Sequence, residues 1–199
     1  MRREGGDVTG TLGLIGGVAW VLLGSVWFAG APISDAIGWR AIDVLWALCG
    51  LCGLAALVSL HRPYRHDYGL RGRIGLWIAI VGTSLFVLGS LASALTGGES
   101  DAVFVAVTLG YLLVFVGSAV VGLSFLRAGV GSRVGSLLFV LAFPLGLLLT
   151  GLVGVALSTA VTGFDVEGAV AAGPPVLYGV GWLAIGRRVR TEPDRQGGL

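Results

Sequence analysis

The stretch RGRIGLWIAIVGTSLFVLGSLASALTGGESD, residues 71–101, decides how the chain is read. Residues 74–95 carry no charge, with arginines just before them at 71 and 73 and acids after them at 99 and 101. At ~1.5 Å per residue these apolar residues make a helix of ~33 Å, enough to cross a ~30 Å hydrocarbon core. The run is continuous rather than alternating, which argues against a barrel strand, and a helix satisfies its own backbone polar groups in lipid. Arginines at one end and carboxylates at the other give the segment a direction.

Working outward, five further apolar runs occupy residues 11–29, 42–60, 102–126, 134–160 and 170–185. The expected fold is therefore all-α: an integral-membrane six-helix bundle forming one polytopic domain over residues 1–199. The last run is the shortest and holds Pro174 and Pro175 near its start, where a first-turn proline would remove no helical hydrogen bond. Arg2 and Arg3 before the first run, with Ala29-Gly30-Ala31 after it, also fit a signal peptide. The run's length and Pro32 favour a retained span.

Composition agrees with a membrane protein. Hydrophobic residues make up 55% and charged residues 12%, and the mean hydropathy of +0.92 excludes an ordinary soluble domain or a disordered chain. The 13 basic and 11 acidic side chains nearly cancel, and the bases fall in short segments that form no continuous nucleic-acid face. Every base is arginine and there are 35 glycines, a bias expected of a GC-rich prokaryotic genome, so the expected location is a prokaryotic plasma membrane.

Orientation follows from the loops. Arg2, Arg3, Arg62, Arg65, Arg71, Arg73, Arg127, Arg133, Arg187, Arg188, Arg190 and Arg195 all fall at ends expected to share one side. The other side holds Arg40 with Asp35, Asp43, Glu99, Asp101, Asp165 and Glu167. The positive-inside rule then places both termini in the cytoplasm. Gly13, Gly75 and Gly135 open the odd-numbered helices at steps of 62 and 60 residues, suggesting three tandem helical hairpins. Any hairpin bundle under the charge rule looks periodic, so duplication stays open.

Cys49-Gly50-Leu51-Cys52 is the sharpest local motif, since residues three apart share a helix face and two thiols can cycle with a disulfide. These four residues resemble the membrane pair of quinone-linked disulfide-generating proteins, which implies thiol or quinone redox chemistry at Cys49 and Cys52. Such enzymes relay through a second cysteine pair, whereas this chain has two cysteines in all. Cys49 would lie ~10 Å inside its helix, where a buried thiol is inert packing material.

His61, Arg62, Tyr64, Arg65 and His66 lead toward Arg71 and Arg73 in the most polar segment of the chain, a possible contact for anionic lipid or a partner's acidic loop. Two histidines five apart across Pro63 make a poor metal set, and the tyrosines are expected to anchor at headgroups. Pro144 is expected to kink the fifth helix. Thr83, Ser84, Ser90, Ser93, Ser118, Ser124 and Thr150 are expected to bond their own preceding turns, and the pairs Gly13/Gly17, Gly131/Gly135 and Ser118/Gly122 to let helices approach closely. Belt anchoring accounts for Trp27, Trp39 and Trp77, while Trp20 and Trp46 lie deeper.

The chain matches no phosphate-loop, nucleophile-elbow or HExxH signature, and no cofactor or metal is expected. The three-hairpin outline is similar to small bacterial acid-stress membrane proteins, without a shared motif from which an activity could be carried over. The expected role is non-catalytic: an accessory, assembly or lipid-associated component acting with membrane lipids, copies of itself or a membrane protein partner. The alternatives are a small transporter or channel for a neutral or apolar solute, and a membrane thiol/quinone protein using Cys49 and Cys52.

Overall fold

The computed structural model describes residues 2–29, 37–64, 69–98, 100–129, 131–160 and 166–191, with side chains for all of these except 2–7, 27–29, 62–63, 159–160 and 166–170. The described residues form six long helices: α1 (Arg2–Ala29), α2 (Trp39–Tyr64), α3 (Gly69–Thr96), α4 (Asp101–Ala128), α5 (Arg133–Ala160) and α6 (Val166–Thr191). No strand occurs among the described residues. Helices α1 to α5 each contain a segment long and apolar enough to cross a membrane.

Helix α6 holds prolines, glycines and, in its last turn, arginines, yet these do not open it to the surroundings. It is the most enclosed helix, with only Val180 exposed between residues 171 and 186. It also begins earlier than its apolar run suggests. Pro174 and Pro175 therefore lie more than two turns inside the helix rather than in its first turn, and their missing N–H groups do leave carbonyls without helical donors.

The backbone of each described helix packs closely against its neighbours in sequence, α6 closes the ring against α1, and side chains reach across the interior between the others. Neighbours run antiparallel. Gly10 of α1 faces Gly186 and Arg190, while Gly24 faces Ala172 and Val176. The turn between α4 and α5 is set locally: Gly129, at φ +67°, donates its N–H to the Phe125 carbonyl, and Ser132 Oγ accepts the Gly135 N–H at 3.2 Å. Gly131 lies in this turn at φ +69°, so the expected Gly131/Gly135 pair is not a helix face.

In a membrane, lipid tails are as apolar as leucine, so close packing rather than the hydrophobic effect holds helices together. The α3–α4 seam illustrates this. Gly75, Gly82 and Gly89 oppose Gly110 and Gly117, each set spaced by seven residues, the period that keeps one face turned to a partner along its length. A Cβ at Gly82 would come within 2.6 Å of Leu113 Cβ, and one at Gly110 within 2.5 Å of the Phe86 nitrogen. Backbones this close leave no room for a methyl group.

The glycines that open the odd-numbered helices serve different seams. Gly75 meets Gly117 and Val120 of α4, and Gly135 meets Gly181 and Ile185 of α6, each the next helix in the chain. Gly13 meets Trp182 and Gly186 of α6, across the closure of the ring. Similar helix starts thus do not have equivalent neighbours.

Candidate functional site

The interior of the ring is filled with aromatic rings, at least one from every helix: Trp20, Trp46, Phe86, Tyr111 with Phe115, Phe139 with Phe143, and Tyr178 with Trp182. Trp20 stands edge-on to Tyr178 at 5.2 Å and stacks on Phe86 at 5.9 Å, joining α1 to the opposite wall. Phe115 touches Tyr111, Phe143 and Tyr178 at centroid distances of 4.8, 5.6 and 5.4 Å. Trp20, Tyr178 and Trp182 are fully buried. Offset and edge-on pairs of this kind are the favourable geometries for aromatic rings and add to their packing.

Polar groups among these rings are few, and the described hydroxyls of Ser118 and Tyr111 are engaged with protein. Ser118 Oγ donates to Tyr178 Oη at 3.0 Å, and Tyr111 Oη donates to the Ala171 carbonyl at 3.2 Å. The second contact answers the prolines of α6: Ala171 is four residues before Pro175 and has lost its helical donor. The Trp20 indole nitrogen has no hydrogen-bond partner and is seated against Gly53, where any Cβ would collide with it.

Of the expected hydroxyls, Thr83, Ser84, Ser124 and Thr150 bond carbonyls four residues back, at 2.7–2.9 Å. Ser93 and Ser118 instead reach across helices. Ser93 Oγ donates to Asp43 Oδ2 at 2.7 Å, joining α2 to α3 at the end away from the termini. Ser90 is fully buried with no partner for its hydroxyl. Pro144 lies in the interior of α5 and is exposed on its outer face.

Cys49 is buried and Cys52 half-buried, and both are free thiols on α2. Cys52 belongs to the turn that meets Gly16 of α1. Tyr64, expected at the headgroups, is turned inward instead: it is 8% exposed and packs on Phe125 with centroids 5.1 Å apart. The aromatic partner on α4 is the reason, and nothing in the local sequence announces it. His61 is half-buried, and Arg71 and Arg73 are exposed. Arg65, His66, Arg195, Asp35, Glu99 and Asp165 lie outside the described residues, as do the side chains of Arg2, Arg3, Arg62, Trp27 and Glu167.

Trp39 and Trp77, at 66% and 56% exposure, have the outward placement expected of a belt. Arg71, Arg73, Arg127, Arg133, Arg187, Arg188 and Arg190 share the end at which α1 begins and α6 finishes; Arg40 and Asp101 lie at the other. Among the described residues no three His, Cys, Asp or Glu side chains come together. Neither a protein-family model, nor a curated protein, nor a solved structure matches this chain.

Proposed function

We propose that this protein is a non-catalytic, six-span component of a prokaryotic plasma membrane, with both termini cytoplasmic, acting through contact with lipid and with another membrane protein or further copies of itself. The observation that supports this reading is the interior: every helix contributes an aromatic ring to one packed cluster that fills the middle of the ring of helices, with Phe115 and Tyr178 midway along theirs. Known transporter plans put polar groups and broken helices near the bilayer midplane. Here Tyr111 covers the proline-freed carbonyl of Ala171, and the serine and tyrosine hydroxyls are bonded to one another.

The test combines two measurements on detergent-extracted protein. Native gel electrophoresis and mass spectrometry are expected to find a stoichiometric assembly, either with a second membrane protein or as an oligomer. Proteoliposomes are expected to show no protein-dependent flux of glycerol, urea or a small apolar tracer. Solute flux that scales with protein content would replace this reading with the transport alternative.

A further inference from the structure

The outward face of α6 lies between the ridges of α1 and α5 and carries two clefts. The first, of about 480 Å³, is lined by Leu14 of α1 and by Leu183, Arg187, Arg190 and Thr191 of α6. The second, of about 290 Å³, is lined by Ser25, Gly146, Leu149, Thr150, Ala172, Gly173, Val176 and Leu177. We infer that the first cleft is a binding site for an anionic phospholipid, its phosphate held by Arg187 and Arg190 and an acyl chain laid along α6 past Leu183 and Val180. The inference deepens the lipid-associated part of the function proposed above and rests on the membrane reading.

Three features carry it. Among the described residues the cleft's charge is of one sign: two guanidinium groups line it and no carboxylate does. Arginines in a last turn also complement the helix dipole, but that terminus carries only about half a negative charge, so two cations leave a positive excess. The donors are also held in place. The Arg190 stem lies across Gly10, against which a Cβ would collide, while Thr191 Oγ1 donates to the Arg187 carbonyl at 3.1 Å and so is turned to its own helix. Arg187 and Arg190 are both exposed and three residues apart, so their planar forks serve one anion, which guanidinium groups bind in bidentate fashion.

The third feature is depth. From Arg187 to Leu177 is ten residues, or ~15 Å along the helix, matching half of a ~30 Å hydrocarbon core. Along that path α6 presents Leu183, Val180 and Val176, so the polar end and the apolar track are ordered as they are in a lipid molecule.

The experiment is native mass spectrometry of the purified protein with phosphatidylglycerol, with phosphatidylcholine of identical acyl chains and with inorganic phosphate, on wild type, R187Q/R190Q and R127Q/R133Q. Arginines near a membrane surface attract anionic lipid strongly enough that wild type should prefer phosphatidylglycerol by about tenfold or more. R187Q/R190Q should lose most of that preference and R127Q/R133Q, exposed at the same end of the bundle, should keep it. Equal binding of the two lipids, or equal losses in both double variants, overturns the site. Full displacement of phosphatidylglycerol by inorganic phosphate would make it a free-anion site, and a dimer broken by R187Q/R190Q without lipid preference would make it a protein interface; either overturns the proposal. A stoichiometric assembly unaffected by R187Q/R190Q would leave the proposed function standing whichever way the lipid experiment falls.

Discussion

The hydroxyl of Tyr111 on α4 donates to the carbonyl of Ala171 on α6, supplying the hydrogen bond that Pro175 removed from its own helix. Interhelical hydrogen bonds in membranes average ~0.6 kcal/mol and reach ~1.7 kcal/mol. Tyr111→Phe is therefore expected to lower stability by about 1 kcal/mol in detergent-based unfolding. In a Pro175→Ala background, residue 175 regains an N–H for Ala171, and the same substitution should lose much less. An identical loss in both backgrounds would mean that the tyrosine stabilises through ring packing alone.

The α3–α4 seam offers a second measurement. A Cβ at Gly110 meets backbone atoms of Phe86 and Gly82, which cannot rotate away, whereas one at Gly16 meets the Ala56 methyl and the Cys52 carbonyl at 3.2 Å. Gly110→Ala should destabilise by ~1–3 kcal/mol, the usual range for overpacking, and Gly16→Ala by less. The two melting curves in the same micelle provide the comparison, and a reversed order would contradict the seam described here.

These contacts mark the boundary of what the sequence could reveal. The lengths and polar ends of the apolar runs located the helices, because a charge or its absence at a membrane boundary is a large energetic signal. Which face of each helix turns inward was not legible, since lipid and protein interior favour the same side chains and the apolar residues of α4 surround it on all sides. Trp20 was recognisable as deep, but Trp182 and Tyr178 were not separable from interfacial aromatics; the packing of α6 against α1, α4 and α5 together buries them. Tyr64 was misplaced for the same reason, its partner Phe125 being two helices away. The cleft at Arg187 and Arg190 was visible only as charge.

The thiols provide a third test. Cys49 is buried at 5% exposure, and Cys52 is more open. A membrane-permeant maleimide should modify Cys52 before Cys49 in the folded protein, with both reacting once it is unfolded. Mass spectrometry of alkylated membranes should find both sulfurs reduced, and Cys49→Ala/Cys52→Ala should preserve the assembly. A 49–52 disulfide whose removal abolishes function would favour the redox alternative.

Sidedness follows from the arginine-rich end. Moving several guanidinium groups across the bilayer is costly, each ~2.5–3.5 kcal/mol on insertion scales, so the end bearing Arg71, Arg73, Arg127, Arg133, Arg187, Arg188 and Arg190 should remain cytoplasmic. Single cysteines in the Cys49→Ala/Cys52→Ala background test this without disturbing a turn. Thr96 is exposed at the end of α3, and Ala128 is exposed at the end of α4, on opposite faces of the bundle. With an impermeant maleimide on intact cells, Thr96→Cys should be labelled at once and Ala128→Cys only after permeabilisation. The reverse pattern would invert the topology and place the Arg187 and Arg190 cleft in the outer leaflet, where the same phosphate chemistry would have to be met by a different population of lipids.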